Sequence, residues 1–247
     1  MIPQLFEILK RGGRALAEVA FPNSCVECGA LPDSVDYPHV CMKCSQSIRL
    51  VEDPRCRTCG YPIWGDAESA DFCQNCEHLT PVYEQCVSLV LFKGAVRGLV
   101  HALKYEQGLW ALRDIRVLME NASWPDGFSL EGQVVAVPLH PRKLRERGYN
   151  QSELIARELC SVVPGFHFEQ PLERVLDTES QTKFDKRDRR RNLKNAFSLR
   201  SNRAIDPAKR YLIIDDVFTT GSTINACASA LRKAGARRID ALTVGHG

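Results

Sequence analysis

The chain has 247 residues, of which 44% are apolar and 26% charged, and a formal net charge of +3. Those proportions exclude a disordered or collagen-like chain, and no apolar run approaches the roughly 20 residues that cross a bilayer. The length allows one large domain, or a medium domain with a small one beside it.

In chain order, the first predicted element is an amphipathic helix over residues 1–20, with Leu5, Ile8, Leu9, Leu16 and Val19 at helical spacing. Lys10, Arg11 and Arg14 interrupt the apolar centre that a signal peptide needs. The expectation is a cytoplasmic protein whose leading helix packs on its own fold.

Eleven cysteines follow an uneven plan. Eight form the four CxxC pairs Cys25/Cys28, Cys41/Cys44, Cys56/Cys59 and Cys73/Cys76, with 12, 11 and 13 residues between successive pairs. Two intervening residues let both sulfurs of a pair converge on one ion, and two such knuckles close a tetrahedral all-cysteine zinc site. Glycines follow two knuckles, at Gly29 and Gly60, where a chain leaving the metal favours positive φ. Two structural zinc ions in residues 21–80 are therefore expected. Spacing alone allows sequential pairing, as two tandem ribbons, or an interleaved pairing, and the short intervals favour the tandem. His39 and His78 lie near sites that already have four sulfurs, so they read as surface histidines rather than ligands.

Residues 81–247 read as a larger α/β domain. "CVSLVLF", "VVAVP", "FHFEQ", "NAFSL", "YLIID" and "RIDALTV" are predicted strands, and "GAVRGLVHALKY", "NQSELIARELC" and "STINACASALRKAG" are predicted helices. Strands alternating with helices across short connections imply a sheet of mostly parallel strands with flanking helices. Ligands of such sheets bind at the carboxyl ends of the strands. There the sequence places two adjacent acids, Asp215 and Asp216, followed by Thr219, Thr220, Gly221, Ser222 and Thr223 at a helix start. Backbone amides at such a start suit a phosphate. Carboxylates beside them suit vicinal hydroxyls, so the combination points to a ribose 5-phosphate.

"YLIIDDVFTTGST" resembles the phosphoribosyl pyrophosphate (PRPP) signature of type I phosphoribosyltransferases. The resemblance implies a type I phosphoribosyltransferase-like sheet, Asp215 and Asp216 on the ribose, and residues 219–223 on the 5-phosphate. Thr219 stands where purine-salvage members commonly carry an acid, which argues against that substrate class. With "LVHALKYEQG", "VPLHPRKLRERGYNQSELIA" and "RVLDTESQTKFDKRDRRRNLKNAFSL" behind a double zinc ribbon, the whole chain resembles the ComF/GntX family. That resemblance places "PLHPRKLRERGYN" at the pyrophosphate loop, and the stretch bounded by Arg174 and Gln181 at the flexible catalytic loop; Phe184 departs from a frequent Leu. It implies a role in using or internalising DNA, as in natural competence, with DNA-uptake or processing proteins as partners. It leaves open two functions: a Mg²⁺-dependent transferase of unknown acceptor, or a pocket that binds PRPP while the chain handles DNA.

Charge separates sharply along the chain. Residues 142–147 carry +3 and residues 183–194 carry +5, leaving −5 for the remainder. A solvated surface accounts for many such runs, but both flank the expected phosphate site. Arg142, Arg145, Arg147, Lys186, Arg187, Arg189, Arg190 and Arg191 are therefore candidates for contacts with pyrophosphate or with single-stranded DNA. Tyr149, Phe184 and Phe197 interleave with them as candidate stacking groups, with Phe197 also suited to the core.

Metal analysis of protein purified under reducing conditions is expected to find two zinc ions per chain, retained when Cys86, Cys160 or Cys227 is changed to Ser. One ion or none would overturn the double ribbon.

Overall fold

The structure, a computed structural model, describes residues 24–64, 73, 76–77, 79–176 and 195–247. The leading helix expected over residues 1–20, together with His78, Gln181, Phe184, Lys186, Arg187 and Arg189–Arg191, lies outside the described residues.

Among the described residues, helix α1 (Met42–Ser45) belongs to the cysteine-rich region. Strand β1 (Cys86–Leu91), helices α2 (Gly94–Tyr105) and α3 (Ala111–Glu120) and strand β2 (Gly132–Ala136) follow. Then come helices α4 (Pro141–Arg147) and α5 (Gln151–Val162) and strands β3 (Phe166–Phe168), β4 (Leu172–Arg174) and β5 (Phe197–Leu199). Strand β6 (Arg210–Phe218), helix α6 (Ser222–Lys233) and strand β7 (Arg238–His246) complete the order.

Five strands form one sheet in the order β1-β7-β6-β2-β3, every pair parallel, while β4 and β5 form a separate antiparallel pair. The central strands are apolar on both faces because helices cover both. Leu212 and Ile214 of β6 join a core with α2, α3 and α5, and Tyr211 and Ile213 join a core with α6. The mostly parallel sheet with flanking helices is the architecture expected from the alternating pattern. "NAFSL" departs from it by pairing with β4 in the small sheet.

Helix α3 is not assigned in the sequence reading, and its inner face shows why. Ala111, Ile115 and Leu118 are buried at core spacing, but Asp114, at the same spacing, is fully buried among them. A carboxylate on the core face breaks the apolar stripe. His39 compensates: its backbone N–H donates to Asp114 Oδ1 at 3.0 Å, and its Nδ1 lies 2.7 Å from Oδ2. The ring also packs against Trp110, with centroids 4.5 Å apart and planes tilted by 39°. His39 is thus a buried partner of α3, which corrects its reading as a surface histidine.

The cysteine-rich region docks on the sheet along its β1 edge. Residues 49–51 add backbone bonds to that strand, Val51 N–H to Leu89 at 2.9 Å and Leu91 N–H to Arg49 at 2.9 Å. Past the third knuckle, the Cys86 N–H donates to the Arg57 carbonyl at 2.9 Å and the Tyr83 hydroxyl to that of Thr58 at 2.7 Å. Gly60 makes this approach possible: it has φ +72°, and a Cβ there would fall 2.5 Å from the Ser88 nitrogen.

Asp114→Ala would leave the His39 N–H and ring nitrogen buried without their acceptor. A loss of about 2–5 kcal/mol in stability is expected, read by urea unfolding of the zinc-loaded protein. A loss below about 1 kcal/mol would show that the pair is not holding the first four-cysteine group to α3.

Candidate functional site

β2 and β6 are neighbours in the sheet, yet the chain leaves β2 towards β3 on one side and β6 towards β7 on the other. The carboxyl ends of strands at such a reversal are the usual ligand position of open α/β sheets. Asp215 and Asp216 lie near the end of β6, at this point.

Helix α5 is aimed at the acids. Asn150 caps it, accepting from Ser152 N–H at 3.1 Å while its own Nδ2 donates to the Val137 carbonyl at 2.9 Å. The cap holds the helix start against the loop after β2. The next two side chains meet the carboxylates: Gln151 Nε2 donates to Asp216 Oδ2 at 2.8 Å, and Ser152 Oγ donates to Asp215 Oδ1 at 3.0 Å. The last turn of α2 supplies the counter-charge, with Lys104 Nζ 2.7 Å from Asp216 Oδ1. Asp216 is therefore buried with both oxygens engaged.

Asp215 is the less settled of the two. Its Oδ1 also accepts from Asp216 N–H at 2.9 Å, but among the described residues its Oδ2 has no hydrogen-bond partner. Desolvation, then the Asp216 charge, raise its pKa from 3.8 to about 7, against the lowering effects of Lys104, the Asp216 amide and Ser152. A carboxyl with an open oxygen and a proton that leaves near neutrality suits an acceptor for ligand hydroxyls.

The loop beyond β6 turns through Gly221, at φ +68°, into α6. A Cβ there would lie 2.5 Å from the Phe218 ring and 2.7 Å from Leu79, so glycine is required by both conformation and space. Thr219 and Thr220 are exposed. The Thr220 hydroxyl bonds to Ser222 Oγ at 3.0 Å and accepts from Ser222 N–H at 3.4 Å. First-turn amides of a helix have no intrahelical partner, and here Thr223 and its neighbours present that end beside the acid pair.

The basic segment after β2, read from the sequence as a loop, contains α4. Pro141 fixes its first residue, and Gly148 ends it in the left-handed region. Arg142 pairs with Glu146 at 2.9 Å and Arg145 is exposed. Arg147 turns inward, donating to Gln151 Oε1 with its guanidinium 5.7 Å from the Tyr105 ring. A continuous polar path thus runs from Arg147 through Gln151 and Asp216 to Lys104. Tyr149 is occupied, its hydroxyl donating to the Leu103 carbonyl at 2.6 Å, and Phe197 is buried in the core. Arg174 ends β4, lies over Phe197 at 5.6 Å and donates to the Leu176 carbonyl at 3.2 Å.

Lys104, Gln151 and Ser152 are site residues that the sequence reading quotes but does not assign. A signal for Lys104 exists: it lies four residues beyond buried Val100 and eight beyond buried Val96, on the apolar face of α2. A lysine in that position needs an anion.

The eight cysteines gather sequentially, Cys25, Cys28, Cys41 and Cys44 in one group and Cys56, Cys59, Cys73 and Cys76 in the other, the sulfurs of each within 4.8 Å of one another. Nearest sulfurs lie 3.3 to 3.6 Å apart, as for Cys59–Cys73 and Cys28–Cys41, and no disulfide links them. A tetrahedron with Zn–S bonds of about 2.3 Å has edges of about 3.8 Å. Both groups therefore fit a structural zinc ion, and the sequential pairing is the one adopted. In the second group, hydrogen bonding from Cys59 lowers the Cys56 thiol to about 4, while burial pushes Cys76 up to about 12. Four sulfurs crowded this way call for a cation among them.

A family model described as a double zinc ribbon domain matches residues 16–77. The DNA utilization protein YhgH of Salmonella typhimurium is 31% identical over 226 residues, covering 88% of this chain and 94% of that protein. The chain belongs to the ComF family. Other relatives agree: Competence protein F of Haemophilus influenzae is 29% identical over 213 residues, 81% of this ComF chain and 93% of that protein. Competence protein ComFC of Streptococcus pneumoniae is 34% identical over 109 residues, 44% and 46% of the two chains. The family resemblance drawn from the motifs is thereby established. Among the described residues, no helix is long and apolar enough to cross a membrane.

The raised Asp215 carboxyl has a measurable consequence. The folded chain keeps a proton that the unfolded chain releases near pH 4, so stability falls as pH rises from about 4 to about 7 and levels off above. Asp215→Asn is expected to remove about 2–4 kcal/mol of that fall, making the variant more stable than the parent at pH 8. Parallel stability–pH curves for the two proteins would overturn this assignment.

Proposed function

We propose that this ComF-family chain binds PRPP or a related ribose phosphate in the crevice at β2 and β6, and serves DNA uptake or utilisation in the cytoplasm. The observation that carries the proposal is the acid pair: Asp216 held by Lys104 and Gln151, Asp215 with one oxygen open, and the amide-presenting turn at Gly221 directly after. Vicinal ribose hydroxyls would donate to the carboxylates, and the 5-phosphate would accept from amides of residues 219–223. A Mg²⁺ ion would accompany the pyrophosphate, offsetting its charge. The DNA role is supported by two relatives, Competence protein F and DNA utilization protein YhgH. Of the basic residues on α4, Arg147 reaches the acid pair through Gln151, and Arg142, Arg145 and Arg147 suit either the pyrophosphate or a single-stranded DNA backbone.

Nothing in the bound-state chemistry requires turnover. Release of pyrophosphate from PRPP by the purified protein would make the active phosphoribosyltransferase the better function, with residues 174–181 as its catalytic loop.

Asp216→Asn is expected to weaken PRPP binding in the presence of Mg²⁺ by about tenfold to a hundredfold in calorimetry, with the circular dichroism unchanged. Unaltered affinity in the variant, or no binding by the parent protein, would remove the ribose-phosphate site.

A further inference from the structure

A cavity of about 270 Å³ opens beside Lys104, lined by Lys104, Tyr105, Gln107, Lys143, Glu146 and Arg147. Its size is just under the usual range for small-molecule sites, room for one base-sized group. Of the lining charges, Lys104 is paired with Asp216 at 2.7 Å and the one acid, Glu146, with Arg142 at 2.9 Å, and Lys143 and Arg147 leave the wall net cationic. The cavity therefore favours an anion.

Its aromatic wall is unusual for so charged a place. Tyr105 is 69% exposed at the end of α2, where a polar residue would suffice to terminate the helix. The Arg147 guanidinium lies 5.7 Å from the ring centroid, and the His101 ring 4.9 Å away. The guanidinium lies over one face, and the exposed remainder of the ring is a platform on which a flat π-system stacks, with arginine adding a cation–π contribution. Gln107 adds polar recognition: it occupies the left-handed region, at φ +54°, just past the helix end. Glycine fills such positions without strain, so an amide side chain here comes at a conformational cost. That side chain lines the cavity and can both donate and accept.

Flat stacking surface, hydrogen-bonding amide and surrounding cations together describe a receptor for a nucleotide. We propose that this cavity receives one nucleotide unit of single-stranded DNA, the base stacked on Tyr105 and hydrogen-bonded by Gln107, and the phosphate flanked by Lys143 and Arg147. The site rests on the DNA role proposed above. It shares Lys104 and Arg147 with the ribose-phosphate crevice but uses none of the acid pair or the 219–223 turn.

The test is fluorescence anisotropy of a labelled oligothymidylate with the zinc-loaded full chain, alongside a Mg²⁺–PRPP titration of the same samples. Tyr105→Ala is expected to weaken DNA binding by about fivefold or more, and Tyr105→Phe, which keeps the stacking surface, by less than about twofold. The log–log salt slope is expected to stay the same in Tyr105→Ala, which removes no phosphate contact, and to become shallower by about 0.7 in Lys143→Ala. PRPP affinity is expected to be unchanged in Tyr105→Ala. DNA affinity in Tyr105→Ala equal to the parent's, equal losses in Tyr105→Phe and Tyr105→Ala, or no DNA binding by the parent would overturn the nucleotide site. In each case PRPP binding by the parent protein reports separately on the ribose-phosphate crevice.

Discussion

Two carboxylates on consecutive residues near the end of a buried strand set the problem that this fold solves. Asp215 and Asp216 repel each other and lose solvation, and the burial is costly enough to raise Asp215 to about 7. Groups from separate parts of the chain offset it: Lys104 from the end of α2, Gln151 and Ser152 from the start of α5, and the Asp216 amide within β6. Each must arrive within hydrogen-bond range, which constrains where α2 ends and how α5 is capped. The cap at Asn150 is thus part of the acid-pair arrangement, since it sets the direction from which Gln151 and Ser152 approach. Strain of this kind concentrates at functional sites because removing it would remove the acceptors a ligand needs.

The zinc-binding region is built into that arrangement. Leu79 lies three residues beyond Cys76, its N–H donates to the Cys76 carbonyl at 2.8 Å, and its side chain packs where a Cβ on Gly221 would sit. Asn225 of α6 then grips the following segment, accepting from Val82 N–H at 2.7 Å and donating to the Thr80 carbonyl at 2.9 Å. His246, at the end of β7, lies between Tyr61 and Phe218, with ring centroids 4.9 and 5.2 Å away. The turn after the acids is therefore supported by the second four-cysteine group. The first four-cysteine group is held to α3 by His39 and Asp114. With so little apolar core of its own, the cysteine-rich region relies on metal and on this docking for its shape.

Much of the molecule was legible in the sequence because its determinants are local. A CxxC pair closes on a metal through its own turn, a strand buried on both faces shows as an apolar run, and a small polar turn before a helix marks an amide-lined end. Eight metal ligands, the parallel sheet and the acid pair with its turn follow from such patterns. α3 was not legible, since Asp114 interrupts its apolar face, and α4 was masked by its charge. Its Pro141 start and Gly148 end were the available signs.

The sequence by itself determined which residues could ligate zinc, which strands are buried and where a small polar turn starts a helix after the acids, since each depends on neighbours a few positions apart. Only the tertiary structure decided that the cysteine pairs close in sequence, that His39 belongs to Asp114 75 positions away, and that Lys104 and Gln151 answer the acids. Spacing leaves those choices open because they depend on which surfaces come together when the two cores form. The cavity beside Tyr105 is of the same kind: α2 and α4 are separate in sequence, and only their packing turns an exposed ring and a basic helix into one site.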